Sequence, residues 1–301
     1  MTRALLLCLL NIAVALFLAP LFEGILRKLR AALHSRTGPP VTQPYWDLLK
    51  LLGKEDLRSA VGLLYGSLPP LTLGSLLLLA ALTPMGGPAP FAFAGDMIVV
   101  LYVAAISTVL IVLCGYASGS PYAFVGSSRE MMMALSVEPV VAIALCVGAF
   151  KAKSLALGAM MTFQLWNGPS ISMAIAGLAF FLALQAQTGK APFDIAEADQ
   201  EIMGGPFIEQ SGPRLALLRW AVWTKQLVLT FLLVEVFLPW PRFGNLPLDL
   251  LASAVKVLAM LLLVALAEVL NPRVRIDQAM GYFMRVGLSS LSALVFAVIG
   301  K

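Results

Sequence analysis

Apolar stretches of about twenty residues recur along this chain with so few charges inside them that no water-soluble fold can bury them all. They cover residues 4–22, 61–83, 97–116, 131–150, 170–188, 215–238, 248–270 and 279–300. Each is long enough, at ~1.5 Å rise per helical residue, to cross a hydrocarbon layer of ~30 Å. Only helices and closed barrels satisfy every backbone polar group in lipid, and runs of this length are helical. The fold class is therefore an all-α integral membrane protein, a bundle of eight transmembrane helices forming one polytopic domain over residues 1–301. Composition agrees: charged residues make up 12% of the chain, about half the share in soluble domains.

The loops give the orientation. Between the first two stretches lies the most basic segment, with Arg27, Lys28, Arg30, Arg36, Lys50, Lys54 and Arg58. Within it, Tyr45 to Gly53 alternates apolar and charged residues at helical spacing, predicting a short helix on the membrane surface. TPMGGPAP after the second stretch reads as an uncharged turn, and residues 151–169 read as a long connection. Lys and Arg in alternate loops number thirteen on one side and five on the other. The richer side is cytoplasmic, so both termini face outward. A formal charge of +5 without a basic patch interleaved with aromatics argues against nucleic acid as a partner. Cys8, Cys114 and Cys146 stand apart in apolar runs, and His34 is the single histidine. No metal-ligand spacing follows, so no metal, cofactor or catalytic residue is assigned to this chain, and any redox chemistry would have to be done by another subunit.

The strongest departure from the apolar background is the segment GKAPFDIAEADQEIMGGPFIEQSG, residues 189–212. It holds Asp194, Glu197, Asp199, Glu201 and Glu209, five of the sixteen carboxylates, and no basic residue between Lys190 and Arg214. Asp194 and Glu197 have capping-box spacing, and Asp194, Glu197 and Glu201 would share one helix face. Close carboxylates raise one another's pKa, which suits proton exchange near neutral pH. Within the spans, Glu138 sits about 12 Å deep by helix rise, next to Pro139, and ionisable groups there mark ion pathways by default. Glu130 precedes it at a helix start. Lys256 reaches a comparable depth from the opposite face. Lys225 and Arg219 read as snorkelling side chains, and Glu235 and Glu268 as solvated caps at span ends.

Two stretches together carry a family resemblance. Arg36-Thr37-Gly38-Pro39, followed by Gln43-Pro44 and then Asp47, Lys50, Leu51, Lys54 and Glu55, resembles a signature of the membrane subunit that joins the two arms of respiratory complex I. Ala191-Pro192-Phe193-Asp194, Glu197-Ala198-Asp199-Gln200-Glu201 and Glu209-Gln210-Ser211-Gly212 resemble that subunit's second signature. Gly189-Lys190, Gly205-Pro206 and Gly126-Ser127-Ser128-Arg129-Glu130 resemble the version found in membrane-bound group 4 [NiFe] hydrogenases, formate hydrogenlyase among them. Gln210, Asp199 and Gln187 depart from residues usual in those families.

The resemblance implies a non-catalytic subunit in the cytoplasmic (inner) membrane of a prokaryote. It would anchor the hydrogenase large subunit and the small iron-sulfur subunits on the cytoplasmic side and link them to antiporter-like membrane subunits. The [NiFe] centre and iron-sulfur clusters would reside in those partners. Ion coupling would fall to Glu130, Glu138, Asp194, Glu197, Asp199, Glu201, Glu209 and Lys256. Arg36, Gly38, Pro39, Gln43, Asp47, Lys50 and Lys54 would face the soluble arm. Two alternatives remain from the sequence: the quinone-site subunit of complex I, and a stand-alone ion transporter, which the absence of a visible internal repeat disfavours.

Overall fold

The computed structural model describes residues 2–57, 63–90, 95–197 and 199–300. The side chain of Asp199 lies outside the described residues, so that candidate is not placed. Among the described residues every regular element is a helix: α1 (Thr2–Leu33), α2 (Gln43–Leu52), α3 (Leu63–Leu82), α4 (Asp96–Tyr116), α5 (Pro121–Ala152), α6 (Leu157–Asn167), α7 (Ile171–Gln187), α8 (Asp199–Ile202), α9 (Gly212–Phe237), α10 (Leu246–Leu270) and α11 (Ile276–Ile299). Seven of these are long and apolar enough to cross a membrane. The fifth expected span is present as α7, apolar but only 17 residues long.

Helix α9 is the axis of the bundle. Nearly its whole surface is buried, from Leu227 to Phe237 without interruption, because α1, α2, α3, α6, α7 and α10 all pack on it. Its buried polar residues, Thr224, Lys225, Gln226, Thr230 and Glu235 among them, are carried in that central place along with its apolar ones. Helices α5, α7 and α11 form a second packed group, and α4 lies between α3 and α5. The tight contacts use small residues such as Ala144, Gly148, Ala176 and Ala183, which let backbones approach where lipid supplies no hydrophobic drive.

The structure departs from the sequence expectations at several places. Helix α1 continues eleven residues beyond Phe22 to Leu33, where Glu23, Arg27 and Arg30 fall at i, i+4 and i+7 on one face and both arginines pair with Glu23. Helix α5 starts at Pro121, ten residues before the expected span. Glu130 is consequently in the third turn and not at a helix N-terminus. The connection after Lys153 contains a helix of its own, α6, docked through Leu157, Met160 and Met161. Residues 194–197 are not helical, which removes the proposed capping box and the shared face of Asp194, Glu197 and Glu201. There, Phe193 packs on Tyr282 and Phe283, with ring centroids 5.5 and 4.8 Å apart. The Val274 amide donates to the Pro192 carbonyl at 3.0 Å, and Arg273 donates to the Asp194 carbonyl. Tertiary anchoring thus overrides a weak local signal.

Candidate ion-coupling site

The acidic segment closes one end of the bundle, against the start of α5 and α9 and the end of α7. Glycines make this closure possible. A Cβ on Gly126 would fall 2.5 Å from the Gly205 Cα, and one on Gly205 would fall 1.9 Å from the Ala196 carbonyl oxygen. Backbone therefore lies directly on backbone, with Glu130 one helical turn beyond the contact.

Behind that contact is a small internal cavity of about 20 Å³, lined by Glu130, Gln187, Thr188, Asp194, Glu197 and Lys225 among others. That is room for about one water molecule, in a lining polar enough to hold it. Burial, then the Asp194 and Glu130 carboxylates, push Glu197 up to about 7, against the opposing pull of Lys190 and Arg219. Glu197 is thus poised to change protonation at physiological pH. Lys225, expected to snorkel, is instead 3% exposed, and its Nζ donates to Thr108 Oγ1 at 2.8 Å. Arg219, by contrast, is exposed.

A second compartment begins where the first ends. Around Pro139, α4 and α5 border an apolar crevice of about 610 Å³ that reaches inward to Phe180, Leu184 and Leu229. Glu138 lines it, and Gln187 lines both this crevice and the polar cavity. Glu130, Asp194, Glu197 and, through Gln187, Glu138 are brought to adjoining spaces.

Other candidates lie elsewhere. Glu201 is exposed and bound by Arg129 at 2.6 Å, which holds its carboxyl below the usual range. Glu209 is half-buried and its carbonyl accepts the Tyr65 hydroxyl at 2.7 Å. Lys256 does not approach these groups, since its Nζ donates to the Leu238 carbonyl at the opposite end of α9, 2.9 Å away. Near it, Glu235 is no solvated cap. It is 1% exposed and accepts from the Gly86 amide at 3.0 Å and Ser253 Oγ at 2.5 Å, with Arg242 at 3.7 Å.

The basic loop divides in two. Arg27 bridges Glu23 on its own helix and Asp47 on α2, at 3.3 and 2.8 Å. Burial raises the Asp47 pKa, but hydrogen bonds from Arg27 and Gln43 outweigh it and leave the carboxyl below its usual range. Pro44 and Leu48 of α2 are buried, whereas Trp46, Leu49, Lys50 and Leu52 point outward. Arg36, Pro39 and Lys54 are also exposed, and Gly38 is half-buried. Sequence reasoning missed Glu23, which is 4% exposed and gathers Arg27, Arg30 and Lys190 within 3.3 Å. Its spacing from Arg27 and Arg30 was the available signal.

The model of the NADH dehydrogenase family matches residues 5–299, nearly the entire chain. The chain belongs to this family. Hydrogenase-4 component C of Escherichia coli (strain K12) is 38% identical over 271 residues, covering 85% of this chain and 84% of that protein. Formate hydrogenlyase subunit 4 of the same organism is 37% identical over 278 residues, covering 88% and 90%. Among solved structures, a chain of the membrane-bound sulfane sulfur reductase, an archaeal respiratory membrane complex, superposes with a TM-score of 0.89 at 28% identity, over 98% of this chain and 99% of that one. The resemblance seen in the two motifs holds across the full length. This is a multi-pass membrane protein of a family with members in hydrogenase, formate hydrogenlyase and respiratory membrane complexes.

Proposed function

We propose that this chain is a membrane-anchoring and energy-coupling subunit of a membrane-bound [NiFe] hydrogenase complex in a prokaryotic inner membrane. It links a soluble redox arm, which carries the [NiFe] centre and iron-sulfur clusters, to proton or sodium movement through neighbouring antiporter-like membrane subunits. The observation that carries this reading is the shared wall at Gln187, which joins the polar cavity of Glu130, Glu197 and Lys225 to the membrane crevice of Glu138. Carboxylates in a confined space, one of them with a pKa of about 7, respond strongly to a charge or strain arriving from the cytoplasmic side. The exposed basic and aromatic face of α2 and its flanks is where that soluble arm docks, since Arg36, Lys50, Lys54 and Trp46 are turned outward.

The relatives named as hydrogenase and formate hydrogenlyase components support the hydrogenase assignment over a quinone-reducing role. The test is the assembled complex in proteoliposomes, assayed for hydrogen turnover and for H+ or Na+ transport. Glu197→Gln is expected to lower transport per turnover at least ten-fold while the complex still assembles. Unchanged transport in an assembled Glu197→Gln complex would sink the coupling role. Identifying the co-purifying subunits and metals tests the hydrogenase role, and a nickel-free complex that reduces quinone with NADH would replace it with the complex I reading.

A further inference from the structure

Gln187 stands in the wall between the polar cavity and the apolar crevice, and an amide neither takes up nor gives up a proton near neutral pH. Glu130 lines the cavity and Glu138 the crevice. They are eight residues apart on α5, ~12 Å along the helix axis and far beyond hydrogen-bond reach of each other. A proton passing between them needs a titratable group in the gap.

Lys225 is placed in that gap. On α9, Lys225 lines the polar cavity and Leu229, one turn on, lines the crevice. On α4, Ile111 lines the cavity and Ala104 the crevice. Thr108 lies between those two positions and accepts from Lys225 Nζ at 2.8 Å, so the amine is held at the boundary itself. Its charge acts on both Glu130 and Glu138, and Glu130 acts in turn on Glu197. The lysine is 3% exposed and forms no ion pair among the described residues. An ammonium has three donors, of which Thr108 takes one. Arg27, by contrast, is clamped between two carboxylates. A single hydroxyl leaves the flexible stem of Lys225 able to turn toward either space.

We propose that Lys225 is the proton-carrying link between the polar cavity and the crevice. As the free amine it takes a proton from the Glu130 carboxyl, which leaves a carboxylate and an ammonium. It then turns past Thr108 and gives that proton to the Glu138 carboxylate, which restores the amine. Glu197 returns a proton to Glu130 across the water-sized cavity. What passes within this chain is then a proton, whatever ion the neighbouring subunits carry. The proposal rests on the reading of this chain as a coupling subunit.

The experiment uses the assembled complex in proteoliposomes, assayed for hydrogen turnover and for coupled ion transport. Lys225→Met keeps an unbranched stem without a titratable group, and Lys225→Arg keeps a charge that the side chain cannot give up. Both should lower transport per turnover at least ten-fold. Wild-type transport with methionine, or transport restored by arginine, would overturn the proposal, since the second result means that the position needs only a charge. Thr108→Val keeps the lysine and removes its anchor, so it tests the link even where the lysine variants fail to assemble. It should lower transport per turnover at least three-fold, and transport at or above the wild-type value would count against the link. Glu197→Gln, measured in parallel, separates the two readings. Transport lost there but kept in the Lys225 variants removes the lysine link and leaves the coupling role standing, whereas transport kept in all of them removes both.

Discussion

Glu235, fully buried, and Glu197, half-buried, lie at opposite ends of the molecule, and they differ in how completely they are answered. Glu235 has a backbone amide, a serine hydroxyl and a nearby guanidinium for partners. Glu197 faces two other carboxylates across a space for about one water, and its cations act at longer range. A satisfied buried charge fixes geometry, because moving it forfeits every bond at once. An incompletely satisfied one is sensitive to its surroundings, and that is the property a coupling site requires. Glu23 belongs with Glu235: three cations hold it where α1, the acidic segment and α10 meet. The molecule thus uses the same residue type as a clamp in two places and as a responsive element in a third.

If this division is right, the clamps matter for stability and the cavity for transport. Glu235→Ala strands the Gly86 amide, the Ser253 hydroxyl and the Arg242 charge, and removing one member of a buried charged pair costs roughly 3–5 kcal/mol. The expected result is the largest fall in thermal midpoint of any single carboxylate variant, with transport per turnover unchanged in whatever complex survives. A Glu235→Ala complex of ordinary stability that no longer transports ions would exchange the roles of the two regions.

The next effect is the pH dependence of Glu197. Its pKa in the folded protein, about 7, lies above the ordinary value of 4.5, so the folded state binds its proton more tightly than the unfolded state. Its contribution to stability is therefore fully present below about pH 4.5 and lost as pH rises to 7. A carboxylic acid C=O band in infrared difference spectra should titrate near pH 7 and vanish in Glu197→Gln. A band that titrates near 4.5, or one that survives the substitution, would return Glu197 to the ordinary class of surface acids.

The asymmetry between the two regions was only partly legible in the sequence. The spans were readable because hydropathy reports transfer into lipid, and the two signature motifs named the family because they are long. Hydropathy does not report where a helix ends, so α1 and α5 were cut short wherever charges appeared, although those charges share one helical face or follow a proline at the helix start. It is also blind to partners from distant sequence. Lys225 and Glu235 looked like span-end residues reaching for water, yet Thr108, Gly86 and Ser253 hold them inside. The capping-box signal at Asp194 failed for the same reason, since Phe193 is buried on α11 and residues 273 and 274 take up the neighbouring carbonyls.

The smallest expected effect sharpens the comparison within the acidic segment itself. Glu201 lies four residues beyond Glu197 and carries the same charge, but it is exposed and paired with Arg129 at 2.6 Å. Solvent and salt screen such a pair, so its measurable contribution is small. Its carboxyl is held below the usual range, so whatever it adds to stability is present above the ordinary glutamate pKa and fades only as pH falls below it. At pH 7, Glu201→Gln should therefore leave both the thermal midpoint and transport per turnover at wild-type values. The double variant with Glu197→Gln should match Glu197→Gln alone, because the group at 201 neither lines the cavity nor titrates in the working range. A double variant clearly worse than the single one would mean that Glu201 passes its charge inward through Arg129, and the coupling region would then extend to the protein surface.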